Sequence, residues 1–361
     1  MRVVMRVDAS LQIGSGHVMR CLTLADELRS RGAEVHFVCR EHPGHLCALV
    51  EERGYPCIGL VAPTSEYHAP VDDPSHAAWL AVPWQQDAEE TAAALPSGGV
   101  DWLIVDHYAL DRRWEEKLRP HVSKIMVIDD LADRPHDCDL LLDQNLGRTP
   151  SDYSQLIKNT CSTLLGPQYA LLRPEFAKWR SYSLNRRNPS RLTNVLINMG
   201  GVDKDNVTGK VLEAIKDCQL PVDCKITVVM GTTSPWLDSV SQLASVLPWD
   251  TAVKVGVTNM AQIMADSDLA IGAAGSTSWE RCCIGLPTIL LVIAENQIVA
   301  AKFLGESGSA IVLDQNWKKN ELNKLLYNLV SLPGTITNMI KAGSEITDGN
   351  GVCLVCNLIA D

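Results

Sequence analysis

A histidine at position 17 follows two closely spaced glycines in Asp8-Ala-Ser-Leu-Gln-Ile-Gly14-Ser-Gly16-His17, just ahead of a long amphipathic run. Gly14 and Gly16 permit close backbone approach to a ligand. The start of a helix attracts negative charge and favours a neutral ring. A neutral imidazole can take a proton from water, so His17 is the candidate general base, and Asp8 is a candidate to orient it. The competing use is structural, with His17 capping the helix or packing beneath the turn. A dinucleotide-binding reading fails on two counts. Met19 stands where the third glycine of that fingerprint belongs, and Cys39 and Arg40 stand where its acid should follow the second strand.

Further reactive groups follow other apolar runs. Asp106-His107-Tyr108 places a carboxylate, an imidazole and a phenol behind residues 102–105, and Asp129-Asp130 follows residues 125–128. Paired carboxylates suit a divalent ion, but helix capping by Asp is the commoner use, so no metal is expected. In the second half, Asn198-Met-Gly200-Gly201 and Gly272-Ala-Ala-Gly275-Ser276-Thr277-Ser278-Trp279-Glu280 have the form of a phosphate cradle. Small residues lead straight into a helix, so backbone N–H groups and the Ser276 and Thr277 hydroxyls can meet a diphosphate without a lysine. Glu280, one turn further in, is placed to accept from ribose hydroxyls. The amides of Asn296 and Gln297, after another apolar run, suit sugar hydroxyls.

These groups need a scaffold that gathers loops. Short β-branched runs alternate with amphipathic stretches, the signature of βα units around parallel sheets. Strands are predicted at 3–7, 34–39, 102–105, 125–128 and 140–142, then at 194–198, 225–229, 252–255, 269–271 and 288–292. Helices are predicted near 17–30, 44–53, 111–121, 207–216, 260–265, 277–284 and 298–306. Each series opens with a strand, a glycine turn and a helix. The reading is an α/β chain of two Rossmann-like domains at 1–165 and 191–345, a connection at 166–190 and a C-terminal tail at 346–361. In open α/β sheets ligands sit beyond the carboxyl ends of the strands, where every loop named above falls.

Composition narrows the partners. The 361 residues include 46% hydrophobic and 21% charged types, ordinary for globular domains, and the net charge of −11 disfavours nucleic acids and anionic membranes. Residues 2–7 are strand-like rather than signal-like, and no run of 18 apolar residues occurs, so a cytoplasmic location without membrane association is expected. The 12 cysteines are scattered, and Cys353-Leu-Val-Cys356 lacks the second pair that a zinc site would want.

Taken in order, Gly14-Ser-Gly16-His17, Val105-Asp-His-Tyr108, Ile128-Asp-Asp130, Leu165-Gly-Pro-Gln-Tyr-Ala-Leu-Leu-Arg173, Asn198-Met-Gly-Gly201, Gly272-Ala-Ala-Gly-Ser276 and Glu295-Asn-Gln297 resemble the UDP-sugar hydrolases of pseudaminic acid biosynthesis. Those are relatives of the peptidoglycan N-acetylglucosaminyltransferase. The resemblance spans roughly residues 1–315 and rests on order and spacing together. It implies a GT-B-like fold with parallel sheets facing a central cleft, and cofactor-free, metal-independent hydrolysis of UDP-2,4-diacetamido-2,4,6-trideoxy-β-L-altropyranose with inversion at C1. It matches His17 to the general base, Tyr108 and Asn296 to sugar-site residues, Val257 to the uracil pocket, Glu280 to a ribose-binding acid, and the turn at Gly275–Thr277 to the diphosphate region. This chain differs in an insertion-like stretch at 64–86 and in the chain beyond about Gly305. The alternatives are a glycosyltransferase of the same fold and a non-catalytic UDP-sugar-binding module.

Overall fold

The computed structural model describes residues 1–63, 67–188 and 191–360. The chain forms two compact units, Met1–Leu171 with Gly351–Asp361, and Leu172–Asn350.

In the first unit the strands are β1 (Arg2–Val7), β2 (Glu34–Arg40), β3 (Cys57–Leu60), β4 (Trp102–Asp106), β5 (Lys124–Ile128), β6 (Leu140–Asp143) and β7 (Ser162–Leu165). They pair in parallel in the order β3-β2-β1-β4-β5-β6-β7. A parallel sheet is covered on both faces, which is why its central strands read as continuous apolar runs. Along β1, Val3, Met5 and Val7 enter one core, whereas Val4 enters the other with Leu103 and Val105.

The expected tail at 346–361 is instead mostly part of this unit. Val352, Val355, Cys356 and Ile359 recur at helical spacing and bury in the first core, forming one face of the helix Gly351–Ala360. The Trp102 indole N–H donates to the Ile359 carbonyl at 3.0 Å. The Cys353/Cys356 spacing thus reflects helix packing.

The expected connection at 166–190 also differs. Its residues 174–186 form the helix Pro174–Arg186, which belongs to the second unit: Ser183 Oγ donates to the Ile284 carbonyl at 2.8 Å and Arg180 to the Ser344 carbonyl at 2.7 Å. Residues 189–190 lie outside the described residues.

The second unit holds β8 (Asn194–Asn198), β9 (Lys225–Met230), β10 (Asp250–Val255), β11 (Leu269–Ala273), β12 (Thr288–Leu291) and β13 (Ala310–Leu313), parallel in the order β10-β9-β8-β11-β12-β13. In each sheet the first strand lies inside, with the second on one side and the fourth on the other. That reversal of strand order opens a crevice at the carboxyl edge, between the loops after β1 and β4 in one unit and after β8 and β11 in the other. Among the described residues, no helix is long and apolar enough to cross a membrane.

Candidate active site

The loop after β1 turns at Gly14, whose φ of +82° favours glycine. Its N–H donates to the Ser10 carbonyl at 2.8 Å, and Ser10 Oγ accepts from the Gln12 and Ile13 amides. The turn delivers Gly16 as the first residue of the helix Gly16–Ser30 and His17 as its second.

His17 is nearly buried at 8% exposure, and its Nδ1 lies 2.6 Å from Asp106 Oδ1 at the end of β4. Arg20, one helical turn on, clamps the same carboxylate with Nε to Oδ2 and Nη2 to Oδ1, both at 2.6 Å. Its remaining Nη1 donates to Asp130 Oδ2 at 2.8 Å, which also accepts from the Tyr108 hydroxyl at 2.7 Å. Burial works to raise the Asp106 carboxyl, but the Arg20 guanidinium, with the hydrogen bonds from Arg20 and His17, outweighs it and holds the group below the usual carboxylate range. An ionised carboxylate only accepts, so Nδ1 must carry a proton, and in the neutral ring Nε2 keeps its lone pair. The arrangement is a base with an orienting carboxylate.

Asp8 does not orient His17. It is fully buried, held by Arg6 Nη1 and Nη2 at 2.5 and 3.0 Å and by the Arg40 amide at 2.6 Å. His107 faces the same carboxylate: its Nδ1 accepts from the Ala109 amide, and its Nε2 lies 3.2 Å from Asp8 Oδ2. Asp87 completes the cluster, accepting from Arg6, Arg40 and the Trp114 indole. Two guanidinium groups thus balance two carboxylates under the loops that carry His17 and Tyr108, and such buried ions persist only when their lone pairs are met. Asp129 is similarly engaged, by Arg134, Ala132 N and Tyr153, so the Asp129-Asp130 pair is committed to protein donors.

Burial would raise Asp8 and Asp129 as well, yet their cationic and hydrogen-bonding partners leave both lowered. A lowered folded value means that the unfolded chain binds more protons as acid is added, so this stabilisation is present above about pH 4 and is lost below it. Thermal melting of the protein is expected to hold from pH 7 to 5 and to drop steeply between pH 4 and 3. An unchanged melting temperature at pH 3 would contradict this assignment of the buried carboxylates.

Among the described residues, Cys39, Cys47 and Cys57 form a group able to offer metal ligands, with their sulfurs within 4.8 Å of one another. All three also pack in or against the first apolar core.

In the second unit the expected nucleotide-binding groups all lie along the carboxyl edge. Gly200 has φ +95°, and the Gly201 carbonyl lies so close to Gly231 that a β-carbon there would sit 2.0 Å from it. Asn198, by contrast, is tied to the sheet through Nδ2 to the Val229 carbonyl at 3.0 Å. Val257, half-buried, follows β10 beyond Gly256. Gly275 precedes the helix Thr277–Cys283, and the Ser276 side chain makes no capping bond to it. Thr277 Oγ1 accepts from Arg281, which is buried and also donates to the Ala273 carbonyl and Ser278 Oγ. The Gln297 amide nitrogen lies 4.0 Å from where a Gly275 β-carbon would stand, and its Oε1 accepts from the Ile293 amide. Asn296 is exposed. Glu280 is half-buried, 3.6 Å from Arg173; burial raises its carboxyl and Arg173 opposes the rise.

Arg20 and the orienting role of Asp106 were not read from the sequence. An arginine three residues after His17 shares its helical face, which was the available signal.

Residues 195–350 match the glycosyltransferase family 28 C-terminal domain. Over 309 residues the chain is 26% identical to the UDP-2,4-diacetamido-2,4,6-trideoxy-β-L-altropyranose hydrolase of Campylobacter jejuni, covering 85% of this chain and 97% of that enzyme. The chain is thus similar to that hydrolase over most of its length and to the family 28 C-terminal domain in its second half. It is also 25% identical to an uncharacterized protein of Methanocaldococcus jannaschii, covering 82% of this chain, and 28% identical to the Bacillus subtilis spore coat polysaccharide biosynthesis protein SpsG, covering 54%. The matches span only 57% of each of those two proteins. Among solved structures, Acinetobacter baumannii MurG aligns with a TM-score of 0.70 at 17% identity over 99% of both chains, and the rhamnosyltransferase SpnG with thymidine diphosphate aligns at 0.62 and 18%, covering 99% of this chain and 100% of that one. The chain thus has the expected GT-B-like fold.

Proposed function

We propose that this protein hydrolyses a UDP-activated sugar, with UDP-2,4-diacetamido-2,4,6-trideoxy-β-L-altropyranose as the substrate and UDP and the free sugar as products, as a step of pseudaminic acid biosynthesis. The observation that carries the reading is the His17–Asp106 pair, clamped by Arg20, with the Nε2 lone pair left to act. His17 Nε2 takes a proton from water as its oxygen attacks C1. The C1–O bond to UDP breaks, its electron pair goes to the phosphate oxygen, and the anomeric centre inverts. A diphosphate is a stable leaving anion, so one base suffices where ordinary glycosides need an added acid. In this reading the second unit holds UDP: Val257 beside the uracil, Glu280 at the ribose, and Gly200, Gly201, Gly275, Ser276 and Thr277 around the diphosphate. Asn296 and Gln297 meet the sugar.

A glycosyltransferase reading draws on the family 28 match in the second unit. One assay separates the two. Incubated with the UDP-sugar in EDTA and followed by NMR, a hydrolase releases UDP and free sugar together without any acceptor. A protein that binds the UDP-sugar and releases neither until an acceptor is supplied is a transferase.

A further inference from the structure

Tyr108, expected at the sugar, is only 5% exposed; its hydroxyl is committed to Asp130 and its ring is edge-on to His17 at 4.6 Å between centroids. What covers it comes from the insertion-like stretch at 64–86, of which residues 64–66 lie outside the described residues. Trp79 stacks on the Tyr108 ring at 5.6 Å with planes 26° apart, and His76 meets both rings edge-on at 4.6 and 5.4 Å.

This stretch is anchored. Asp73 pairs with Arg113 at 2.9 Å, Ser75 Oγ reaches Asp133 at 3.4 Å, and Leu80 and Val82 bury in the core with Leu103 and Val105. The anchored segment holds two half-buried rings over the residue that touches the candidate base.

We propose that Trp79, braced by His76, is the platform for the sugar ring in this protein, in place of the sugar contact that the resemblance implied for Tyr108. An indole face suits the apolar side of a pyranose and methyl substituents such as a C6 methyl or an acetamido methyl, because sugar pockets combine flat apolar surface with few polar contacts. Tyr108 then acts as a positioning residue through Asp130 and Arg20. The assignment rests on the UDP-sugar reading, and its test separates the two.

In Trp79→Ala, KM for the UDP-sugar is expected to rise roughly tenfold, the size of a lost aromatic contact. The affinity for UDP alone should stay within about twofold of wild type, since UDP carries no sugar ring to rest on the platform. Trp79→Phe should recover most of the KM. An unchanged KM in a Trp79→Ala protein of wild-type melting temperature overturns the platform. Should wild type release UDP from no UDP-sugar, the hydrolase reading falls, and saturation-transfer NMR with free 2-acetamido-2,6-dideoxyhexose then tests the platform directly. Transfer to the sugar that disappears in Trp79→Ala supports it, and absent or equal transfer in the two proteins overturns it.

Discussion

His17→Asn should lower the rate of UDP release by roughly 10²- to 10⁴-fold, the usual contribution of a positioned general base. Asparagine can still donate its amide to Asp106 but carries no basic lone pair, so the attacking water keeps its proton. The neighbouring imidazole cannot substitute: the Nδ1 of His107 accepts from the Ala109 amide and its ring faces Asp8 within the buried cluster. UDP affinity and KM should change little, because the removed interaction operates in the transition state. Stability should fall modestly, since Asp106 retains both contacts from Arg20. The measurement is single-turnover UDP release beside UDP titration calorimetry. A folded variant with the wild-type turnover rate would remove His17 from the chemistry.

What the sequence revealed, and what it hid, follows from how each segment earns its burial. Central strands such as β1 and β4 are covered on both faces and announce themselves as apolar runs, whereas β3 and β7 are four-residue edge strands with exposed positions and passed unread. The helix Trp84–Ala94 was missed because it turns Asp87, Ala88 and Thr91 inward, and Asp87 belongs to the charge cluster rather than to an apolar stripe. The same cluster explains the error over Asp8. Sequence proximity to His17 made it the apparent partner, while the parallel pairing of β1 with β4 sets Val7 beside Asp106 and brings the actual carboxylate in from 89 residues away. His17 itself was legible because a glycine turn entering a helix is a local feature. Its partner depended on strand order, which no local pattern encodes.

Asp106→Asn tests that partnership most directly. Each oxygen of Asp106 now accepts a hydrogen bond from Arg20, and Oδ1 also accepts from His17. An amide has one acceptor and one donor, so it cannot satisfy both residues. With its oxygen toward His17 it presents NH₂ to the Arg20 Nε–H. In the other orientation its NH₂ faces Nδ1, which must become an acceptor, and the proton moves to Nε2 where the base should be. Arg20 keeps Asp130 but loses its ionised partner at a nearly buried site, a cost on the order of 3 kcal/mol. The expected result is a fall in kcat of roughly 10²- to 10⁴-fold with UDP affinity retained, accompanied by a lower melting temperature. Stability loss alone would leave kcat per folded molecule unchanged, and that outcome would reduce Asp106 to a structural anchor for Arg20. A joint loss, no greater in the His17→Asn/Asp106→Asn double variant than in either single one, would mark the two residues as a single catalytic unit.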